Sequence, residues 1–256
     1  MTDPAAFDLM ALLPFVAVGF AAQLVDGALG MAFGVITNTL LVSFLGIAPA
    51  RASANVHVAE CFTTATSGIS HVIHGNVDWR LFSRLLVPGI LGGVTGAYLL
   101  TNIDGDVIKP FVLGYLALIG IYLVWRGFFH PPVRGTPKVV MPLGLFGGFM
   151  DAIGGGGWGP IVTSNLLIQG VEPRKVIGTV NSVEFFLTLT VSATFIYHLG
   201  VSMFVGSMLG LLAGGVLAAP FGALLAKRIP HQTLMTLVGS VLIITSGFGI
   251  WRAVFA

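Results

Sequence analysis

The chain has 256 residues, of which 55% are hydrophobic and only 9% are charged, and its formal net charge is +2. Because a soluble domain carries about 25% charged residues, this composition excludes a soluble protein and predicts a polytopic membrane protein. No basic cluster suggests nucleic-acid binding, and the single cysteine, Cys61, excludes an intramolecular disulfide.

Apolar segments follow one another along the whole chain. The first set covers residues 9–24, 28–46, 53–73, 81–101 and 108–129, and a polar linker, 130–138, separates it from a second set at 139–153, 158–170, 176–199, 203–226 and 233–256. The last three segments of each set reach the length of about 20 residues that a spanning helix needs. The acidic N-terminus lacks the basic region of a cleaved signal peptide, so we expect the first segment to stay in the mature protein.

The two short segments that open the second set are separated by four consecutive glycines. Asp151 precedes Gly154, Gly155, Gly156 and Gly157, and Trp158 follows them. Glycine costs roughly 1 kcal/mol relative to alanine inside a helix, and it lets a ligand approach the main chain closely. The pattern therefore predicts a helix break, which is either a simple turn or a binding site formed by backbone groups.

A second copy of this stretch lies 125 residues earlier, where Asp26 matches Asp151 and Gly30 matches Gly155. After a one-residue gap the match continues, and it aligns His57 with Asn181, Glu60 with Glu184, and Asn55 with Thr179. Self-similarity at a fixed offset is the sequence signature of a repeated structural unit. It predicts two related halves, residues 1–129 and 139–256, joined by the linker 130–138.

Each half opens with a pair of short segments, and matching short segments are the best sequence indication of a transporter binding site. We predict that each pair is a broken or re-entrant helical hairpin followed by three spanning helices. If the segments alternate across the membrane, nine Lys and Arg residues lie on the side of the linker and three on the other, which places the linker in the cytoplasm. Five segments per half is an odd number, so the halves are expected to form an inverted repeat.

Burial of an ionisable group in a membrane costs free energy, so such groups usually have a function. Four carboxylates lie within or beside the membrane segments of this chain. They form two matched pairs, Asp26 with Asp151 and Glu60 with Glu184. A helix cap is an equally good interpretation of the two aspartates, whereas the two glutamates lie well inside long helices. His57 and Glu60 share a helix face, but Asn181 replaces the histidine in the second half, so neither a bound metal nor a cofactor is expected.

The residues 147–160, the Gly-x-x-Pro turns at 46–49 and 170–173, and their duplication resemble the sulfite exporter TauE/SafE family of membrane permeases along essentially the whole chain. The resemblance implies transport of small sulfur-containing anions such as sulfite or organosulfonates, mostly outward, across the bacterial inner membrane. It also implies a homodimer. In contrast to the family's pattern, the first half carries no glycine triplet of its own.

The sequence thus predicts a secondary transporter rather than an enzyme, because it contains no nucleophile motif of known type. Helix N-termini are ready sites for anions, and we expect the substrate to lie between the two glycine-containing breaks. The predicted substrate-binding residues are Gly30, Gly154, Gly155, Gly156, Gly157, Trp158, Thr163, Ser164, Asn165, Asn55 and Asn181. The predicted proton-coupling or polar residues are Asp26, His57, Glu60, Asp151 and Glu184. Protonation of Glu60 or Glu184 would remove the repulsion of an anion; the alternative is a cation or metal-ion permease that uses these carboxylates.

Overall fold

A computed structural model describes residues 9–29, 31–129, 135–200, 205–228 and 231–255. The first five helices are α1 (Leu9–Leu29), α2 (Phe33–Ser43), α3 (Pro49–Ile73), α4 (Trp79–Asn102) and α5 (Gly105–Phe129). They are followed by α6 (Met141–Gly154), a π-helical turn (Trp158–Thr163) that continues into α7 (Ser164–Ile168), α8 (Pro173–Leu199), α9 (Val205–Arg228) and α10 (His231–Phe255). The prediction of an all-helical protein is confirmed for the residues described. Gly30 and most of the linker, 130–134, lie outside these ranges.

The glycine run ends α6 as the sequence predicts. Gly155 has a φ of 60° and Gly156 a φ of 145°, and both angles belong to a region that residues with side chains rarely adopt. In the first half the break differs, because α1 is 21 residues long and continues past Asp26 to Leu29, whereas α6 has 14 residues. The expected end of the first segment near residue 24 is therefore wrong. Only one glycine, Gly27, follows Asp26 before Ala28 and Leu29, and this allows another helical turn.

The helices pack in four closely associated pairs, which are α1 with α9, α4 with α6, α5 with α10, and α3 with α8. Glycines at the interfaces bring the backbones together, as is usual between helices in lipid. A Cβ added at Gly96 on α4 would lie 2.6 Å from the carbonyl oxygen of Phe149 on α6. On α5, a Cβ added at Gly120 would lie 2.7 Å from the carbonyl oxygen of Gly239 on α10.

Residue contacts give the direction of each pair. On α3 and α8, Thr64 meets Thr188 and Cys61 meets Ser192, with 3.5 Å between the side-chain atoms in each case. A residue nearer the start of α3 therefore meets one nearer the end of α8, so these two helices run antiparallel. In contrast, α4 and α6 run in parallel, because Gly89 lies against Gly144 and Gly148 while Gly96 lies against Phe149 and Ala152.

The chain exposes large apolar side chains and buries polar ones, as expected for a protein surrounded by lipid. By length and composition, three helices within the described residues can cross a membrane: Trp79–Asn102, Gly105–Phe129 and Arg174–Leu199. The sequence-based expectation also included α3, α9 and α10. In the part of the chain that the structure describes, α9 and α10 have shorter apolar stretches, Gly206–Ala218 and Met235–Trp251. Helix α3 has a lower mean hydropathy than the three spanning helices, because it contains a row of buried polar residues that includes Ser53, His57, Glu60 and Thr64. The exposed and buried faces together are those of a membrane protein.

Candidate functional site

A cavity of about 110 Å³ lies where the two helix breaks meet. We call α1 with α2 the first helix pair, and α6 with the π-helical turn and α7 the second helix pair. Gly34 of the first helix pair packs directly on Gly156 of the second, since a Cβ added at Gly34 would lie 2.8 Å from the Cα of Gly156. The absence of side chains at these two positions therefore allows the starts of two short helices to approach one cavity.

Asp26 and Asp151 each cap the helix that follows its own break. The Oδ1 atom of Asp26 accepts hydrogen bonds from the amides of Ala32 and Phe33, at 2.8 and 3.1 Å. In the second helix pair, the Oδ1 atom of Asp151 accepts hydrogen bonds from the amides of Gly157 and Trp158, at 2.8 and 2.9 Å. The cap interpretation of these carboxylates is thus the geometry observed, although both residues also line the cavity.

Asp151 makes a further contact that crosses from one half of the sequence to the other. Its Oδ2 atom lies 3.0 Å from Nε2 of His57 on α3, and both side chains are buried. The other ring nitrogen of His57, Nδ1, lies 2.8 Å from the carbonyl oxygen of Ser53. The sequence places His57 on the same helix face as Glu60, but the partner of the histidine in the structure is Asp151.

Glu60 and Glu184 line the same cavity from α3 and α8. Glu60 is 6% exposed, and its Oε1 atom would be 2.8 Å from a Cβ at Gly34. Within the described residues its Oε2 atom is buried without a hydrogen-bond partner. Thr63, Thr64 and Ser67 extend this polar lining along α3.

Backbone N–H groups at the starts of the two short helices provide donors at the cavity. The first helical hydrogen bond of α2 comes from Ile36 to Ala32, so the amides of Gly34 and Val35 are among those that a helix leaves without an internal partner. In the second helix pair the first such bond comes from Ile161 to Gly157. Gly159 is the corresponding donor there, because Pro160 has no N–H group. All four of Gly34, Val35, Gly159 and Pro160 line the cavity.

Seven of the predicted site residues line this cavity: Asp26, Glu60, Asp151, Gly156, Gly157, Asn181 and Glu184. His57 reaches it through Asp151. Gly30 lies outside the described residues.

The other predicted residues have structural contacts away from the cavity lining. Gly154 packs on Tyr115 and Gly155 on Asn38. The Trp158 ring donates to the carbonyl oxygen of Val180, and Asn55 accepts a hydrogen bond from Ser207.

The three polar residues after the break are also directed elsewhere. Thr163 is buried without lining the cavity. The Ser164 hydroxyl lies 3.9 Å from the sulfur of Met31, and Asn165 donates to the carbonyl oxygen of Ile161. A helix that begins at the cavity points only its first turn into it, so residues one to two turns later contact neighbouring helices.

Asn38 and Tyr115 were not predicted from the sequence. Both contact the glycine run, although neither lines the cavity. Asn38 Nδ2 donates to the carbonyl oxygen of Gly154 over 2.5 Å. The Tyr115 ring occupies the space beside Gly154, and its hydroxyl lies against Gly157. An asparagine within the apolar run 33–43 was the available signal for the first of them, whereas Tyr115 gives no such signal in an aromatic-rich helix.

Comparison with known proteins gives a consistent assignment. A family model described as sulfite exporter TauE/SafE matches residues 15–248. The chain is 43% identical over 249 residues to the probable membrane transporter protein YtnM of Bacillus subtilis, covering 92% of this chain and 81% of that protein. It is 25% identical over 235 residues to the probable membrane transporter protein ORF9 of a Sinorhizobium species, covering 88% of each. No solved structure matches the chain.

Proposed function

The chain belongs to the sulfite exporter TauE/SafE family and is a membrane transporter rather than an enzyme, and from this premise we propose that it carries small sulfur-containing anions, such as sulfite or organosulfonates, outward across the bacterial inner membrane. The observation that carries the proposal is the meeting of two helix N-termini at one cavity. Each N-terminus has a partial positive charge of about half a unit and unpaired N–H groups, which suit an anion.

The amides of Gly34, Val35 and Gly159 supply the donors in this proposal. No Lys or Arg is among the cavity-lining residues described, so backbone groups replace the basic side chains that many anion sites use. A cavity of about 110 Å³ has room for a sulfite or a short sulfonate and not for a large organic anion.

Protons offer a way to reconcile an anion with two carboxylates in the same cavity. Glu60 and Glu184 interact electrostatically with each other, with Asp26 and with Asp151, and an anion among ionised carboxylates would be repelled. We propose that Glu60 or Glu184 is protonated when the anion is bound. Release of that proton together with the anion on the other side would couple the two fluxes in the same direction, so the anion would follow whichever way the proton gradient drives protons.

We further propose that residues 1–129 and 139–256 form two inverted halves, that the linker 130–138 is cytoplasmic, and that the protein is a homodimer. The packing supports the first point because it is reciprocal: α1 packs on α9 as α6 packs on α4. Equivalent helices of the two halves, such as α3 and α8, run antiparallel. A two-fold axis in the membrane plane generates this arrangement.

A cation permease is the second candidate, and the presence of four carboxylates in one cavity lining favours it. The aspartates are weaker cation ligands than the sequence suggests, because one oxygen of each already accepts hydrogen bonds from two backbone N–H groups. A cation would therefore depend mainly on Glu60 and Glu184. Among the described residues, no group of three or more His, Cys, Asp and Glu side chains is arranged to hold a metal ion.

Flux measurements with purified protein in liposomes test the proposal. We expect a proton gradient to drive sulfite and methanesulfonate across the bilayer, with no flux of monovalent or divalent cations. Protein-free liposomes give the background leak, and sulfate tests whether a dianion is accepted. Cation flux without any anion flux would replace the proposed function by the second candidate.

A further inference from the structure

The hydrogen bonds of His57 determine how many protons it shares with Asp151. The Ser53 carbonyl oxygen, 2.8 Å from Nδ1, can only accept a hydrogen bond, so Nδ1 carries a hydrogen. The 3.0 Å contact between Nε2 and Asp151 Oδ2 then needs one more proton between these two atoms. With two protons at this contact, the N–H and O–H groups would repel each other. With no proton, the lone pair of the nitrogen would face a negatively charged carboxylate. The pair therefore holds one proton at this contact and has no net charge.

Asp26 has no equivalent of His57. The position that matches His57 in the second half is Asn181, which cannot titrate, and both Asn181 and Asp26 line the cavity. In the described part of the chain Asp26 takes part in no ion pair. The two caps thus make the same backbone hydrogen bonds, and a proton-sharing histidine accompanies only one of them.

Several titratable groups interact electrostatically with Asp151 or with the cavity glutamates. They are Glu60 and Cys61 on α3, Asp26 on α1, Tyr115 on α5 and Glu184 on α8. None of them is basic, so His57 is the group in this set that can offset a negative charge. In addition, the buried and unpartnered Oε2 atom of Glu60, which belongs to a cavity-lining side chain, indicates that the cavity receives a ligand or a proton.

We propose that His57 is a positioning residue that makes the second helix pair the anion subsite, by holding the one proton that neutralises Asp151. With Asp151 neutralised, the helix that begins at Trp158 keeps the positive end of its dipole at the cavity beside the Gly159 amide. The uncompensated charge of Asp26 offsets part of the positive end of α2, which leaves the Gly34 and Val35 amides as the weaker donors. This inference rests on the proposed transport of anions and specifies which of two similar helix starts binds the anion more strongly.

Two substitutions separate charge from structure. His57→Asn introduces the residue that the chain itself has at the matching position, and it leaves Asp151 ionised, because the two amides on Oδ1 favour the charged carboxylate. Asp151→Asn instead imitates the neutral pair: its oxygen can still accept the Gly157 and Trp158 amides, and its NH₂ group can donate to Nε2 of His57. Asn181→His, combined with His57→Asn, moves the histidine to the side of Asp26.

The experiment measures binding of methanesulfonate, which stays a monoanion throughout, to the purified full chain by calorimetry over a series of pH values. At neutral pH we expect His57→Asn to bind roughly 15-fold more weakly than the wild type, the factor given by one extra unit charge roughly 10 Å from the anion at an effective dielectric constant of about 20, and Asp151→Asn to bind more tightly than His57→Asn. The double variant is expected to recover binding.

Equal affinities of wild type and His57→Asn at neutral pH would overturn the inference, as would an Asp151→Asn variant that binds as weakly as His57→Asn. Melting temperatures of all variants identify a loss of binding that comes from unfolding, and Asp151→Asn still tests the charge argument if His57→Asn does not fold. If the wild type binds neither methanesulfonate nor sulfite at any pH, the proposed function itself fails, and that result is distinct from a failure of the variants alone.

Discussion

Asp26 and Asp151, which are 125 residues apart in the sequence, each accept hydrogen bonds on Oδ1 from the amides six and seven residues later. Each carboxylate therefore closes a helix break by binding the first N–H groups of the next helix. A side chain capable of doing so is needed wherever two short helices meet inside a membrane, because lipid offers no hydrogen bonds to the free N–H groups.

Removing the two caps should have unequal effects on stability. Asp26→Ala leaves two amides without their acceptor, and the loss of a cap costs about 1 kcal/mol. Asp151→Ala removes the same cap and also leaves the buried Nε2 of His57 without a partner, which adds roughly 1–3 kcal/mol. Thermal unfolding of the purified variants in detergent is expected to show the lower melting temperature for Asp151→Ala. Equal melting temperatures would mean that the contact with His57 does not stabilise the protein.

The close approach of Gly34 and Gly156 predicts that a methyl group at Gly156 prevents transport. Gly156 has a φ of 145°, and an added Cβ would lie 2.6 Å from the Cα of Gly34. Backbone strain of this kind costs about 1–3 kcal/mol, and the collision would push the two helix starts apart. We expect Gly156→Ala to reach the membrane but to lose anion flux in liposomes.

Gly114→Ala on α5 is the matched control, because a Cβ at Gly114 meets no atom within 4 Å. That variant should transport like the wild type. Normal flux by Gly156→Ala would mean that the contact between the helix starts is not needed for transport.

The sequence predicted an all-helical membrane protein, and it predicted those site residues that occur at matching positions in both halves. Asp26, Asp151, Glu60 and Glu184 all line the cavity, because the duplication marks positions that do the same work in both halves. It could not give the contact between His57 and Asp151, which are 94 residues apart. Helical periodicity shows which residues share a face, but the identity of the helix that covers that face depends on packing between distant segments.

The same limit explains the assignments within the glycine run. All four glycines looked equivalent in the sequence, yet Gly156 and Gly157 line the cavity while Gly154 and Gly155 pack on Tyr115 and Asn38. The two neighbours come from α5 and α2, and no local pattern links them to the glycines. Gly156 and Gly157 differ from Gly154 and Gly155 only in the direction that they face at the end of α6.

The proposed inverted topology predicts that cysteines at positions 51 and 138 are accessible from opposite sides of the membrane. The native Cys61 is first replaced by serine, so that each introduced cysteine is the only one. In oriented vesicles, a membrane-impermeant maleimide should label Lys138→Cys from the cytoplasmic side and Arg51→Cys from the other side. Arg174→Cys is the internal control and should behave like Lys138→Cys. Labelling of positions 51 and 138 from the same side would exclude the inverted arrangement.

Substitution of the two cavity glutamates by glutamine is expected to separate anion binding from proton coupling. Glutamine keeps the size and most of the hydrogen-bonding capacity of glutamate, and it permanently imitates the protonated form. If Glu60 or Glu184 carries the transported proton, the corresponding glutamine variant should still bind methanesulfonate but should not accumulate it against a gradient when a proton gradient is applied. Glu60 is the stronger candidate because its Oε2 atom is buried without a partner among the described residues, so a proton there has few competing contacts.

Proton-driven flux and downhill exchange are measured for Glu60→Gln, Glu184→Gln and the double variant, with downhill exchange as the control for a functional fold. Wild-type proton-driven accumulation in all three variants would remove both glutamates from the coupling mechanism and leave them as hydrogen-bonding groups of the cavity wall.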